Sequence, residues 1–133
     1  MKKTGIWIDK KKAVIITIEQ NGEEVREVYS EIDDFHVKGG SGTRFKGGPQ
    51  DVVHDSKYLA HEKKQFKDYF KELVPFVQSA DKVVIFGPAQ AGQKLAKEIS
   101  ERYATLHPKI QGVEKADNMT PNQLKAWVRD YFR

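Results

Sequence analysis

Apolar and polar positions alternate at the start of this chain, and the period later lengthens from two residues to between three and four. Residues 5–9 and 13–18 hold Ile6, Trp7 and Ile8, then Val14, Ile15, Ile16 and Ile18. These β-branched and aromatic runs have the composition of strands. Asp9, Lys10, Lys11 and Lys12 between them read as a polar hairpin turn. Asn21-Gly22 is a two-residue turn signal, because both residue types tolerate positive φ. Val25, Val28 and Ile32 then mark a third, more polar strand over about 24–32. Three strands joined by short turns make an antiparallel meander.

The pattern then lapses. Gly39, Gly40, Gly42, Gly47 and Gly48 are half of the ten glycines in the chain, and no apolar period survives among them. This predicts a loop over residues 35–55. Loops of that length inside compact domains are uncommon and are usually functional or disordered. Asp55 or Ser56 is suited to cap a helix running to about Val77. Its buried stripe would be Leu59, Phe66, Tyr69, Phe70, Leu73 and Val77. Pro75 predicts a kink or early end there, since proline removes a hydrogen bond and clashes with the carbonyl of Lys71.

Lys82–Phe86 is a short apolar run of the kind found in buried parallel strands. Gly87-Pro88 then opens a second helix, with Pro88 in its first turn and Leu95, Ile99 and Tyr103 facing inward. Residues 109–114 supply a last strand. Thr120, Pro121, Asn122 and Gln123 form a capping box with proline at the first helical position. Leu124, Trp127, Val128 and Tyr131 give that helix its buried face. The order β-β-β-α-β-α-β-α predicts an α/β fold with a mixed five-stranded sheet, the build of ribonuclease H-like and translational-machinery folds. One domain is expected over residues 1–133, with the basic, glycine-rich loop at about 35–55.

The absence of cysteine excludes disulfides, thiolate zinc sites and thiol nucleophiles. No run approaches the ~18 apolar residues of a membrane helix, and the start alternates rather than forming a signal core. A cytoplasmic protein with no membrane partner is expected. The formal charge of +4 is mild, but its placement is uneven. From Phe35 to Gln50 there is no Asp or Glu, while Lys38, Arg44 and Lys46 all fall inside.

That span is the candidate RNA-binding site. Lys38, Arg44 and Lys46 are suited to phosphate contacts. Gly39, Gly40, Gly47 and Gly48 let backbone approach closely, and Gln50 closes the segment. Phe45, flanked by cations, is placed to stack on an unpaired base. Elsewhere the chemistry is sparse. Gly87-Pro88-Ala89 reads as helix entry rather than an anion cradle. His36, His54 and His61 lack a supporting carboxylate spacing and read as solvated. Asp9 is placed for a first nuclease carboxylate, but the Val83–Phe86 strand and its exit carry no acid, so Asp9 reads as a hairpin residue. No catalytic residue, metal ligand or cofactor motif is assigned.

Three segments, in order, carry a family resemblance. The first runs from Gly5 to Ile16 and continues into the 24–30 strand. The second is Val37-Lys-Gly-Gly-Ser-Gly-Thr-Arg-Phe45, and the third Val83-Val-Ile-Phe-Gly-Pro-Ala-Gln-Ala-Gly-Gln-Lys94. Together they resemble the central domain of archaeal and eukaryotic class-1 peptide release factors and of Pelota proteins, over nearly the whole chain. Release factors insert a Gly-Gly-Gln tip into the peptidyl transferase centre and promote peptidyl-tRNA hydrolysis. Here Ser41 follows Gly39-Gly40, and Pro49 separates Gly47-Gly48 from Gln50. Pelota proteins also lack the motif, and they bind ribosomes without releasing peptide. The resemblance therefore implies a stand-alone domain that binds ribosomal or transfer RNA through residues 36–54. It would act in translation quality control, rescue or stress response without hydrolytic activity of its own. Stop-codon-reading and partner-docking segments are not present, so independent termination is not expected. A ribonuclease H-like metal-dependent nuclease and a protein-interaction module are the alternatives, and protein partners are unassigned.

Overall fold

The computed structural model describes residues 2–30, 48–88 and 90–133, and the side chains of 48–59 lie outside that description. The elements are β1 (Lys3–Ile8), β2 (Lys12–Glu19), β3 (Gly22–Tyr29), α1 (Gly48–Ser79), β4 (Lys82–Gly87), α2 (Ala91–Arg102), β5 (Ile110–Lys115) and α3 (Pro121–Tyr131). One turn of 3-10 helix, His107–Lys109, precedes β5. The strands form one sheet in the order β3-β2-β1-β4-β5. β1, β2 and β3 pair antiparallel, while β4 joins β1, and β5 joins β4, in parallel. The expected mixed five-stranded α/β sheet is the observed one.

The central strands are apolar on successive residues because both faces of the sheet are covered. One face carries Ile6, Ile8, Ile15, Val83 and Ile85, packed under Phe66, Phe70 and Leu73 of α1 and Leu95 and Ile99 of α2. The other carries Trp7, Val14, Ile16, Val84 and Phe86 under Leu124 and Val128 of α3. Strand β3, which pairs on one side only among the described residues, has no buried residue.

Four expectations about local structure change. The bend between β2 and β3 falls on Gln20-Asn21, because Glu19 already pairs with Gly22. The loop predicted to end at residue 55 ends earlier, since α1 starts at Gly48. Pro49 is then its second residue, where the missing N–H breaks no helical bond. The helix also runs past Pro75 to Ser79. Lys71 and Pro75 are both exposed, so solvent reaches the carbonyl that proline leaves without a donor.

Lastly, Pro88 precedes α2 rather than lying in its first turn; the helix starts at Ala91 with Gln90 as N-cap. Gly87 is held in the sheet, paired with Lys115, and its carbonyl accepts the N–H of Ala116 at 2.9 Å. A Cβ at Gly87 would land on the Ile8 carbonyl oxygen. By contrast, the α3 capping box forms as expected. The Thr120 hydroxyl accepts the Gln123 N–H at 3.2 Å, and the Gln123 side chain accepts the Thr120 N–H at 2.9 Å.

Candidate nucleic-acid interface

The described chain leaves the sheet at Ser30 and resumes at Gly48. Ser30 is tied to the β1–β2 turn: its N–H donates to the Lys11 carbonyl at 2.8 Å and its hydroxyl to the Lys10 carbonyl at 2.6 Å. Asp9 organises that turn. Its N–H donates to the Lys12 carbonyl at 3.0 Å, and its Oδ1 accepts the N–H groups of Lys11 and Lys12, each at 2.8 Å. Asp9 is a hairpin residue, as its position between two strands predicts.

The turn also seats α1. The buried Tyr69 hydroxyl donates to the Asp9 carbonyl at 3.1 Å. Burial raises the Tyr69 pKa, and the charges of Asp9 and Glu72 push it the same way, so the phenol stays a neutral donor. Lys10 pairs with Glu62 at 2.8 Å. Both ends of the candidate segment thus issue from elements fastened to one lysine-rich turn.

Of the predicted site residues, Lys38, Gly39, Gly40, Arg44, Phe45, Lys46 and Gly47 lie outside the described residues. Gly48 and Gln50 fall in the first turn of α1. His36 lies outside them too, and His61 is exposed on α1. Among the described residues, no three of His, Asp and Glu come together as metal ligands.

The structure exposes a basic surface that sequence reading missed. Lys63, Lys67 and Lys71 recur at every fourth residue of α1 and are exposed. That spacing places them along one flank, about 6 Å apart. Lys63 borders a groove of about 400 Å³, across which α2 presents Lys94 and Lys97. Phe66 and Phe70 lie beneath, and the Lys94 ammonium sits 4.6 Å from the Phe66 ring centre. Three acids also line the groove: Glu62 is matched by Lys10, Glu98 by Arg102 at 3.1 Å, and Glu101 lies one turn along α2 from Lys97.

The other flank of α1 is mixed in charge. It holds a hollow of about 290 Å³ lined by His61, Lys64, Gln65, Asp68, Tyr69 and Glu72. Lys64 pairs there with Asp68 at 3.4 Å. In linear sequence the lysines and acids of α1 interleave and cancel in a charge count. The four-residue lysine spacing was the available signal.

No protein-family model matches the chain, and no curated protein matches it in sequence. Solved structures do. Archaeoglobus fulgidus Pelota superposes with a TM-score of 0.57 at 16% identity, covering 98% of this chain and 32% of its own. The archaeal translation termination factor aRF1 superposes with a TM-score of 0.53 at 16% identity, covering 94% of this chain and 32% of its own. The chain has the fold shared by release factors and Pelota. It spans about a third of the length of either protein. The expected release-factor-like architecture is therefore borne out over nearly the whole chain, at a sequence identity that speaks to fold alone.

Proposed function

We propose that this chain is a release-factor-like domain, spanning residues 1–133, that binds the ribosome or structured RNA through residues 36–54. The observation that carries this reading is the Pelota and aRF1 fold over nearly the whole chain, joined to the acid-free run from Phe35 to Gln50 that holds Lys38, Arg44 and Lys46. Ser30, the last described residue before that segment, and α1, which follows it, are both bonded to the Asp9–Lys12 turn, which supports this reading. The role is cytoplasmic translation quality control, rescue or stress response. Peptidyl-tRNA hydrolysis is not part of it, because neither glycine pair is followed directly by glutamine. Asp9, the acid best placed for nuclease chemistry, holds the hairpin turn instead.

Sedimentation of the tagged protein with ribosomes tests the proposal. It should travel with ribosomal particles at low salt, leave them as salt rises and cleave no RNA. Protein that stays at the top of the gradient at low salt would refute ribosome binding.

A further inference from the structure

We propose that the α1–α2 lysine surface is a second, sequence-blind contact for the RNA phosphate backbone, separate from residues 36–54. The inference rests on the RNA-binding reading but uses different residues. Lys63, Lys67 and Lys71 line one flank of α1, and Lys94 and Lys97 stand across the groove. Among the described residues, Lys63, Lys67, Lys71 and Lys97 form no ion pair, while neighbouring Lys64 and Arg102 are engaged with Asp68 and Glu98. Unengaged ammonium groups with solvated heads are the form in which lysine binds phosphate, as a point charge rather than a shaped fork.

The surface does not read bases. Phe66 and Phe70 beneath it are only 9% and 4% exposed, too little for a base to stack on. An apolar peptide anchor finds the same rings closed, which favours a phosphate backbone over an acidic protein. Binding here depends on charge and releases counterions, so it weakens steeply with salt and ignores sequence.

The test measures anisotropy of a labelled oligouridylate and a labelled RNA duplex, with the full chain, across a salt series. Four proteins are compared: the parent, a Lys63→Ala/Lys67→Ala/Lys97→Ala variant, a Lys38→Ala/Arg44→Ala/Lys46→Ala variant, and a Lys63→Arg/Lys67→Arg/Lys97→Arg variant. Alanine on an exposed helix keeps the fold, which circular dichroism checks. Losing three phosphate contacts should reduce the log–log salt slope on the single strand by about two. Arg at positions 63, 67 and 97 should restore it.

Parent-like RNA binding by the α1–α2 variant at every salt concentration overturns the proposal. So does loss of labelled polyglutamate binding in that variant with RNA binding unchanged, which would assign the surface to an acidic protein. The two readings separate cleanly. If only the Lys38 variant loses RNA, the α1–α2 surface falls and the 36–54 reading stands. If only the Lys63 variant does, the reverse holds.

Discussion

Trp127 of α3 lies flat on Phe86 of β4, ring centres 3.9 Å apart and planes 7° from parallel. Tyr131 continues the stack at 5.5 Å and 8°. Phe86 is fully buried and Trp127 half-buried, so the indole is the lid over that end of the sheet. Trp127→Ala should cost about 3 kcal/mol, the low end for a large aromatic because part of the ring meets water. Trp127→Phe should cost about 1 kcal/mol. Denaturant unfolding followed by circular dichroism checks both, and a parent-like midpoint for Trp127→Ala would assign α3 docking to Leu124 and Val128 alone.

Helix α3 also approaches β1 closely, because Gly5 has no side chain. A Cβ there would collide with a Val128 methyl group. Gly5→Ala should therefore destabilise by about 1–3 kcal/mol through overpacking. Val128→Ala alone should cost about 2 kcal/mol as a cavity. The double variant should be less destabilised than the sum by about 1 kcal/mol, since each change relieves the other. Strict additivity in the unfolding cycle would place the strain elsewhere.

Tyr69 predicts an alkaline limit to stability. Its folded pKa is raised above the ordinary value of 10.0, chiefly by burial, so the folded state favours the neutral phenol. The stabilisation is complete below about pH 10 and declines as pH rises beyond it, because the unfolded chain ionises first. Tyr69→Phe should lose about 1 kcal/mol at neutral pH, the hydrogen bond to the Asp9 carbonyl, and show a shallower decline above pH 10. Parallel stability curves for the two proteins through that range would refute the assignment.

Ribosomes carrying labelled nascent peptide should release none of it when the protein is added. Pro49 between Gly48 and Gln50 interrupts the only glycine–glutamine juxtaposition near the segment. Release that disappears in Gln50→Ala would show that the interruption is tolerated.

Phe45→Ala should separate stacking from charge. Affinity for single-stranded RNA should fall by about 1–3 kcal/mol with the salt slope nearly unchanged, because stacking displaces few counterions. An unaltered affinity in the anisotropy titration would remove Phe45 from the contact surface.

The sheet was legible because its determinants are local: β-branched runs such as Val83–Phe86 have few other uses. What escaped depends on contacts distant in sequence. Pro88 stands outside α2 because Gly87 is held against Ile8, a neighbour that no local pattern reveals. Gly48-Pro49 reads locally as a loop, yet the same pair starts a helix whose apolar stripe is legible in sequence only from Leu59 onward. Pro75 does not end the helix, and the exposure that lets water reach the freed carbonyl appears only in three dimensions. The candidate site was legible as a charge vacancy between Phe35 and Gln50. The α1–α2 lysines were not, since only folding sorts them from Asp68 and Glu72.

The strand order puts β3 and β5 at the edges, and among the described residues each pairs on one side only. An open strand edge is a template on which a second copy of the chain adds by backbone pairing, and such growth has no natural stop. Along β3, Glu23, Glu24, Arg26 and Glu27 occupy half of the strand's eight positions. Two copies meeting there antiparallel would bring carboxylates together in water-poor contact. At the other edge, Glu114 and Lys115 end β5 with charge. The polarity that makes β3 look like a marginal strand thus disfavours edge-to-edge pairing of two copies.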